Sequence, residues 1–437
     1  MHYLIETYGC QMNKAESAAL ENLLLEHGFA KTEQVEESNL VIINTCSVRI
    51  SAENRAWGRI AHFAALKRSC KFTLLVCGCM AERLKEDMKK KVPGIDYVLG
   101  TFQKSAFSTL LAAIKENRIP EVLEETPAYV FAPSHLEAGS FSSYVPIMHG
   151  CNNFCSYCIV PYVRGRELSR SPESILKEIK AQSEMGVKEI TLLGQNVNSY
   201  LWKENGISYN FAWLLKLLAE SGETRLVERI RFLSSHPKDL SEETIDVLAA
   251  FPVFARHIHL CVQHGSDRIL ELMNRRYTSG QYIDLAEKII KRIPGTSLST
   301  DILVGFPGET EEDMEATLEL MKKLRFAYAY MYYYNPREGT LAAKMANQID
   351  TATKKSRLAR VIALQKEISK SVMETMLGTE ANVLIEGPSK RRKDEMIGRT
   401  DQDMMAVFRA EPSLTGTFKR IRLLALNGNT FKAELVS

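Results

Sequence analysis

Short apolar runs alternating with amphipathic stretches dominate this chain and leave few folds open to it. In the first third, "HYLIETYGC", "NLVIINTC" and "FTLLVCGC" each have the length and content of a buried strand, with segments such as "AESAALENLLLEHG" between them. Strands that alternate with helices favour a parallel sheet with crossover helices. The stretch "EETPAYVFAPSHLEAGSFSS" lacks apolar periodicity, and its Pro, Ser, Ala and Gly content marks a linker. From Tyr144 the alternation resumes with six candidate strands, "YVPIMHG", "EITLLGQN", "RIRFLSS", "HIHLCVQ", "SLSTDILVGF" and "YAYMYYYNP". The helix "SPESILKEIKAQSEMG" carries its own start signal, Ser171 as N-cap with Pro172 at the first helical position, and stops at Gly186. Six β/α units fall short of the eight of a closed TIM barrel, so an open, partial barrel is expected. A long polar helix, "DTATKKSRLARVIALQKEISKSVMETMLG", then leads to short strands separated by turn residues, the pattern of a small antiparallel β-barrel. The expected organisation is α/β: an N-terminal domain over 1–125, a linker over 126–140, a partial (β/α)6 barrel over 141–374 and a small β-barrel over 375–437.

A chain of 437 residues exceeds the size at which one core stops growing, in keeping with several domains. The net charge of +3 neither demands nor excludes nucleic acid, so local patches must decide. The N-terminus "MHYLIETYGCQMN" has no basic region ahead of an apolar run, and no segment approaches the roughly 18 apolar residues of a membrane span. A cytoplasmic protein is expected, its nine cysteines reduced and available for metal or catalysis.

Three of those cysteines crowd into "GCNNFCSYC", with Cys151, Cys155 and Cys158 at C-x3-C-x2-C directly after the first strand of the second alternation. Three thiolates at this spacing suit an iron–sulfur cluster or zinc. A trio that binds nothing is disfavoured, because the residues sit in a Gly/Asn-rich loop and not on a periodic apolar face. Zinc would want a fourth Cys or His at compatible spacing. His149 lies on the preceding strand, and no second C-x2-C follows. In the first alternation Cys10, Cys46 and Cys79 each end an expected parallel strand. Ligands collect outside the carboxyl ends of such strands, so these three converge on one edge as a second candidate metal site.

The C-x3-C-x2-C motif with Tyr157 before its last cysteine resembles the radical S-adenosylmethionine (SAM) superfamily over roughly Tyr144 to Gly378. That resemblance implies a four-iron cluster held by three cysteines, with SAM on the open iron. It also implies SAM contacts near Tyr157, near Gln195 and Asn196 of "LLGQN", and near Gln263 of "HLCVQHGSD". For each of these the plainer reading is a polar strand end. The words "TYGCQMN", "NTCSVRISAENR" and "GCMAER" resemble the methylthiotransferases, a radical SAM family with two iron–sulfur clusters. By that resemblance Cys10, Cys46 and Cys79 ligate the auxiliary cluster. Cys77 competes for the third place and is read as strand packing. Cys261, where the family more often has proline, lies near the expected SAM site and is most simply read as core, and Cys70 as structural.

Basic stretches mark the C-terminal barrel: Lys390, Arg391, Arg392 and Lys393 in "SKRRK", and Lys419, Arg420 and Arg422 in "FKRIR". The region resembles a TRAM domain, which implies RNA binding by phosphate contacts. Arg164, Arg166 and Arg170 of "VPYVRGRELSR" either face phosphate, SAM or cluster, or pair with Glu167 and its neighbours. "SSHPKD", "YYNPREGTLAA" and "LIEGPSKR" resemble the branch that methylthiolates C2 of N6-isopentenyladenosine beside the tRNA anticodon. In that reading one SAM supplies the methyl group and a second the 5′-deoxyadenosyl radical. An electron donor such as flavodoxin or ferredoxin, a sulfur source and a monomeric chain are implied. Sister activities on threonylcarbamoyladenosine or a ribosomal-protein aspartate differ only in the pocket. A zinc-containing RNA-binding protein without catalysis is the reading from another class. Anaerobically purified protein is expected to carry iron and acid-labile sulfide; a colourless, zinc-only protein would overturn the two-cluster reading.

Overall fold

The computed structural model describes residues 1–103, 106–118, 129–390, 392 and 394–436. In the N-terminal domain five strands pair in parallel in the order β2-β1-β3-β4-β5: β1 His2–Tyr8, β2 Ala30–Lys31, β3 Leu40–Thr45, β4 Thr73–Gly78 and β5 Tyr97–Leu99. Successive side chains of a strand point to opposite faces. Val41, Ile43, Leu74 and Val76 therefore bury one face against Ile60 and Phe63 of helix α2 (Ile50–Leu66). Leu40, Ile42 and Leu75 bury the other against Leu20 and Leu24 of helix α1 (Gln11–Glu26) and against Leu110 and Leu111. Both faces are covered, which explains the unbroken apolar run of β3.

The expected six-strand partial barrel is present. Strands β6 (Ser142–Pro146), β7 (Glu189–Leu193) and β8 (Arg229–Phe232) pair in parallel, as do β9 (His257–His259), β10 (Ser297–Val304) and β11 (Tyr328–Tyr333). A parallel bridge between Ser235 and Leu260 joins the two halves beyond the ends of β8 and β9. The core between strands and outer helices holds Val145, Ile190, Ile230, Ile258 and Ile302. Each such side chain contributes about 1.5–3 kcal/mol on burial. The first outer helix begins at Pro172 with the Ser171 hydroxyl accepting from the Ser174 amide, as its start signal requires. The polar helix Thr351–Glu374 is more than a connector. Its buried Gln365 donates to the Phe326 carbonyl at 2.8 Å, and Arg357 pairs with the fully buried Glu309 at 2.9 Å.

The C-terminal residues close a five-strand barrel in the order β12-β13-β14-β16-β15, with β12 Glu380–Pro388, β13 Glu395–Thr400, β14 Met405–Arg409, β15 Phe418–Asn427 and β16 Thr430–Leu435. All pairings are antiparallel except β14 with β16, the parallel seam that closes the cylinder. Strand alternation alone does not reveal that seam, because parallel and antiparallel strands share a period of two.

Two arginines of β8 dock this barrel onto the partial (β/α)6 barrel. Arg229 donates to Glu189 (3.1 Å) and to the carbonyls of Arg399 (3.0 Å) and Asn382 (3.1 Å), and it pairs with Asp401. Arg231 shares Glu189 (3.0 Å) and donates to the Thr400 carbonyl at 2.6 Å. Removing one partner of a buried pair costs about 3–5 kcal/mol, because the other charge is left desolvated. Arg229→Ala is expected to destabilise the chain by about that amount in urea unfolding and to make the C-terminal barrel protease-sensitive. Wild-type stability would refute this.

Candidate active site between two cysteine triads

The register of the N-terminal sheet brings the first triad together. Tyr8 lies opposite Thr45, and Thr45 opposite Gly78, on three adjacent strands. Cys10, Cys46 and Cys79 follow within two residues of those positions. Neighbouring strands lie about 4.8 Å apart, so the three cysteines gather at one sheet edge. Cys10 caps α1, Cys46 is buried and accepts from the Val48 amide at 3.3 Å, and Cys79 opens a helix behind Gly78. Gly78 has φ +93°, and a Cβ there would meet the Thr45 carbonyl at 2.4 Å.

The second triad sits in the loop after β6. Cys151 donates its amide to the Gly165 carbonyl, and Cys158 donates to the carbonyl of Cys155. Arg275 reaches the Cys155 sulfur at 3.4 Å. Burial pushes the thiols of Cys79 and Cys158 up to about 12 and that of Cys151 to about 11. Buried thiols with N–H donors aimed at sulfur suit iron–sulfur ligation.

One cavity of about 830 Å³ is lined by Cys10, Cys46, Cys151, Cys155 and Cys158 together. A single zinc would bring its ligand sulfurs within about 4 Å of each other. Among the described residues, the one trio of Cys, His or acidic groups whose ligand atoms all lie within 4.8 Å is His259, Cys261 and Asp301. Both triads are therefore too widely spread for a mononuclear ion as they stand, and their donor sets fit larger clusters.

The remaining sequence candidates separate. Tyr157, Gln195 and Gln263 line the cavity. The Gln195 side chain accepts from the Gly150 amide at 2.6 Å, which ties β7 to the cysteine loop. Gln263 is held at φ +71°, where non-glycine residues are uncommon. Asn196 is engaged elsewhere: its amide donates to Asp239 at 2.6 Å and its oxygen accepts from His236 at 3.2 Å. Of the arginines after the cluster loop, Arg164 makes a buried bidentate pair with Glu16 of α1 (2.9 and 3.1 Å). Arg166 lies over the Phe154 ring, and Arg170 pairs with buried Glu178. None of the three takes Glu167, which holds Asn152. Cys77 packs in the sheet core with Leu75, and Cys70 against the α2 side. Cys261 departs from the core reading, since its strand end turns it toward the cavity.

Sequence reasoning did not single out Arg275, His236 or Arg49, all of which line the cavity. His236 accepts from the Lys238 amide at 3.3 Å through Nδ1, and burial pushes its pKa down to about 2, so its ring is neutral. Its place in "SSHPKD" was the only signal. Of the basic patch, Arg391 and Lys393 lie outside the described residues. Lys390, Arg392, Lys419, Arg420 and Arg422 are exposed. Arg420 and Arg422 share Glu380 at 2.8 and 3.3 Å, and Arg392 pairs with Asp394.

Gly150 has φ +78°, and a Cβ there would lie 2.0 Å from the Arg166 carbonyl, a backbone atom that cannot swing away. Gly150→Ala is expected to lose roughly half of the reconstituted iron, that of the Cys151 loop, with secondary structure kept. Unchanged iron content would contradict this geometry.

Comparison with known proteins agrees with this architecture. Residues 145–321 match the Radical SAM superfamily, 2–100 the Uncharacterized protein family UPF0004 and 374–436 the TRAM domain. A Treponema denticola protein named tRNA-2-methylthio-N(6)-dimethylallyladenosine synthase is 49% identical, with all of both chains covered. Proteins of the same name from Treponema pallidum subsp. pallidum (45%; 100% of this chain, 99% of the relative) and Moorella thermoacetica (42%; 99% and 98%) also match. Among solved structures, a radical SAM methyltransferase from Kitasatospora setae superposes with a TM-score of 0.59 at 16% identity, covering 78% of this chain and 77% of that one, a likeness of fold. The chain belongs to the radical SAM methylthiotransferase family, among the relatives named tRNA-2-methylthio-N(6)-dimethylallyladenosine synthase.

Proposed function

We propose that this enzyme methylthiolates C2 of N6-isopentenyladenosine beside the anticodon of tRNA. The observation that carries the reading is the single cavity onto which cysteines of both triads open. When bound, two 4Fe-4S clusters and SAM supply the radical, the methyl group and the transferable sulfur. Cys151, Cys155 and Cys158 hold the first cluster, and Cys10, Cys46 and Cys79 the auxiliary one. Three protein ligands per cluster leave one iron of each accessible from the cavity.

The chain's other residues orient and enclose. Gln195 fixes the cysteine loop through the Gly150 amide, and Arg275 places a guanidinium charge against Cys155. Tyr157 and Gln263, which line the cavity, contact SAM in this reading, whereas Asn196 holds the His236 turn. Leu384, Glu386, Arg399 and Asp403 of the C-terminal barrel complete the cavity wall. RNA held by that barrel is therefore held next to the chemistry. A base acted on here must be splayed out of its stack, as anticodon-loop bases can be. Lys390, Arg392, Lys419, Arg420 and Arg422, with Arg391 and Lys393 of the same run, position the phosphate backbone without reading sequence. Among the described residues no helix is long and apolar enough to cross a membrane. A monomer in the cytoplasm, served by a flavodoxin- or ferredoxin-type reductant and a separate sulfur source, completes the reading.

Incubation with SAM, a reductant and tRNA with or without the isopentenyl group tests it. Mass spectrometry of nucleosides is expected to show the 2-methylthio product only from isopentenylated tRNA. Equal product from both, or none from either, would sink the substrate assignment. Replacing Lys419 and Arg420 by alanine is expected to weaken tRNA binding and flatten its salt dependence, with cluster content unchanged. An unaltered salt slope would remove them from the interface.

A further inference from the structure

The cavity holds a second kind of donor set beside the cysteine triads. His259 and Cys261 are two residues apart along the end of β9, so their side chains share one face. Parallel pairing sets His259 opposite Ser299, and the Gln263 amide donates to the Asp301 carbonyl at 2.9 Å. The register thus carries Asp301 beside Cys261. The His259 Nε2 lies 3.6 Å from the Asp301 carboxylate, and the ligand atoms of all three residues fall within 4.8 Å of one another. Ligands of one tetrahedral zinc lie about 3.3–3.8 Å apart.

The surroundings match such a site. The His259 Nδ1 is 2.9 Å from the Ser299 hydroxyl, which fixes the ring and leaves Nε2 toward the trio. Thiolate and carboxylate together balance the charge of a divalent cation. Arg49, stacked near Tyr330 and Tyr332, is the cation facing Asp301 from the N-terminal domain. All three residues line the main cavity, so a fourth coordination position opens into it.

We propose that His259, Cys261 and Asp301 form a mononuclear site for a divalent cation of zinc's class, separate from both cysteine triads, with one position open to the cavity. A mixed N, S, O donor set with an open position is the pattern of zinc sites that bind a further ligand. The site also protects the chemistry, a consequence that rests on the radical reading above. Arg275 donates to the Cys261 carbonyl at 2.6 Å and to the Cys155 sulfur at 3.4 Å, so the Cys261 backbone is one guanidinium from a candidate ligand of the first cluster, and Cys261 lines the same cavity. A free thiol there offers a hydrogen atom to a carbon radical. A metal-bound thiolate carries none.

The test uses full-length protein with both clusters reconstituted anaerobically, dialysed against zinc chloride and then against metal-free buffer. Metal analysis is expected to find about one zinc per wild-type chain, and X-ray absorption at the zinc edge one sulfur at about 2.3 Å with nitrogen and oxygen neighbours. Cys261→Ala and Asp301→Asn are each expected to lose that zinc at unchanged iron content. No retained zinc, equal zinc in wild type and variants, or a three-sulfur zinc shell from a vacant triad would each overturn the proposal. Should a variant fold poorly, the wild-type sulfur count decides alone. None of these readouts depends on tRNA, so failure here is distinct from failure of the tRNA assignment.

Discussion

The two halves of the active site face each other because a buried arginine of one domain is clamped by a buried glutamate of another. Arg164 follows the Cys151 loop, and Glu16 lies on the helix that Cys10 caps. Tyr129 donates to Glu16 at 3.2 Å and stacks on His149, whose Nδ1 is 3.4 Å from Arg164. Four segments therefore meet in one polar knot: α1, the stretch before β6, the end of the Met148–His149 segment and the post-cluster helix. Burying two charges is costly, and a well-packed apolar contact would often be as stable. What the ion pair adds is direction. A bidentate guanidinium–carboxylate fork fixes angle as well as distance, and the spacing between the triads depends on both.

A second clamp sets the remaining wall. Arg337 pairs with Glu53 at 3.1 Å and donates to the Val48 carbonyl, fastening the loop beyond β11 to the segment that carries Cys46. With Arg229 and Arg231 at the C-terminal barrel, each domain is joined to the catalytic barrel by arginine forks onto carboxylates and carbonyls. Such contacts suit surfaces that must stay in register around an open cavity, where apolar packing cannot continue across the gap.

Much of the site was legible because strand ends are legible. Cys10, Cys46, Cys79 and the Cys151 loop all follow apolar runs, and the carboxyl ends of parallel strands are where such folds place chemistry. Gln195 and Gln263 were candidates by the same rule and line the cavity, as does Tyr157, which the motif resemblance singled out. Asn196 satisfied that rule equally well, yet its amide is engaged by Asp239 and His236, since adjacent residues after a strand end diverge once the turn begins. Cys261, near the expected SAM site, was read most simply as core because an apolar neighbourhood in sequence reads that way, and it lines the cavity. Only the register of β9 against β10 reveals that it stands beside His259 and Asp301. Arg164 and Arg170 were ambiguous for a related reason. Their partners, Glu16 and Glu178, lie 148 and 8 residues away, and charge pairing carries no sequence period.

The sequence by itself determined the architecture and marked the candidate ligands, because hydrophobic period, turn residues and cysteine spacing are local and each has one dominant structural solution. It determined that there are two thiol triads and that each ends a parallel strand or follows one. Tertiary structure placed cysteines of both triads on one cavity, set β1, β3 and β4 side by side, and brought His259, Cys261 and Asp301 together. Those facts depend on strand order, register and the long-range clamps at Arg164 and Arg229. Such contacts join residues far apart in the chain and leave no mark on any short stretch of it.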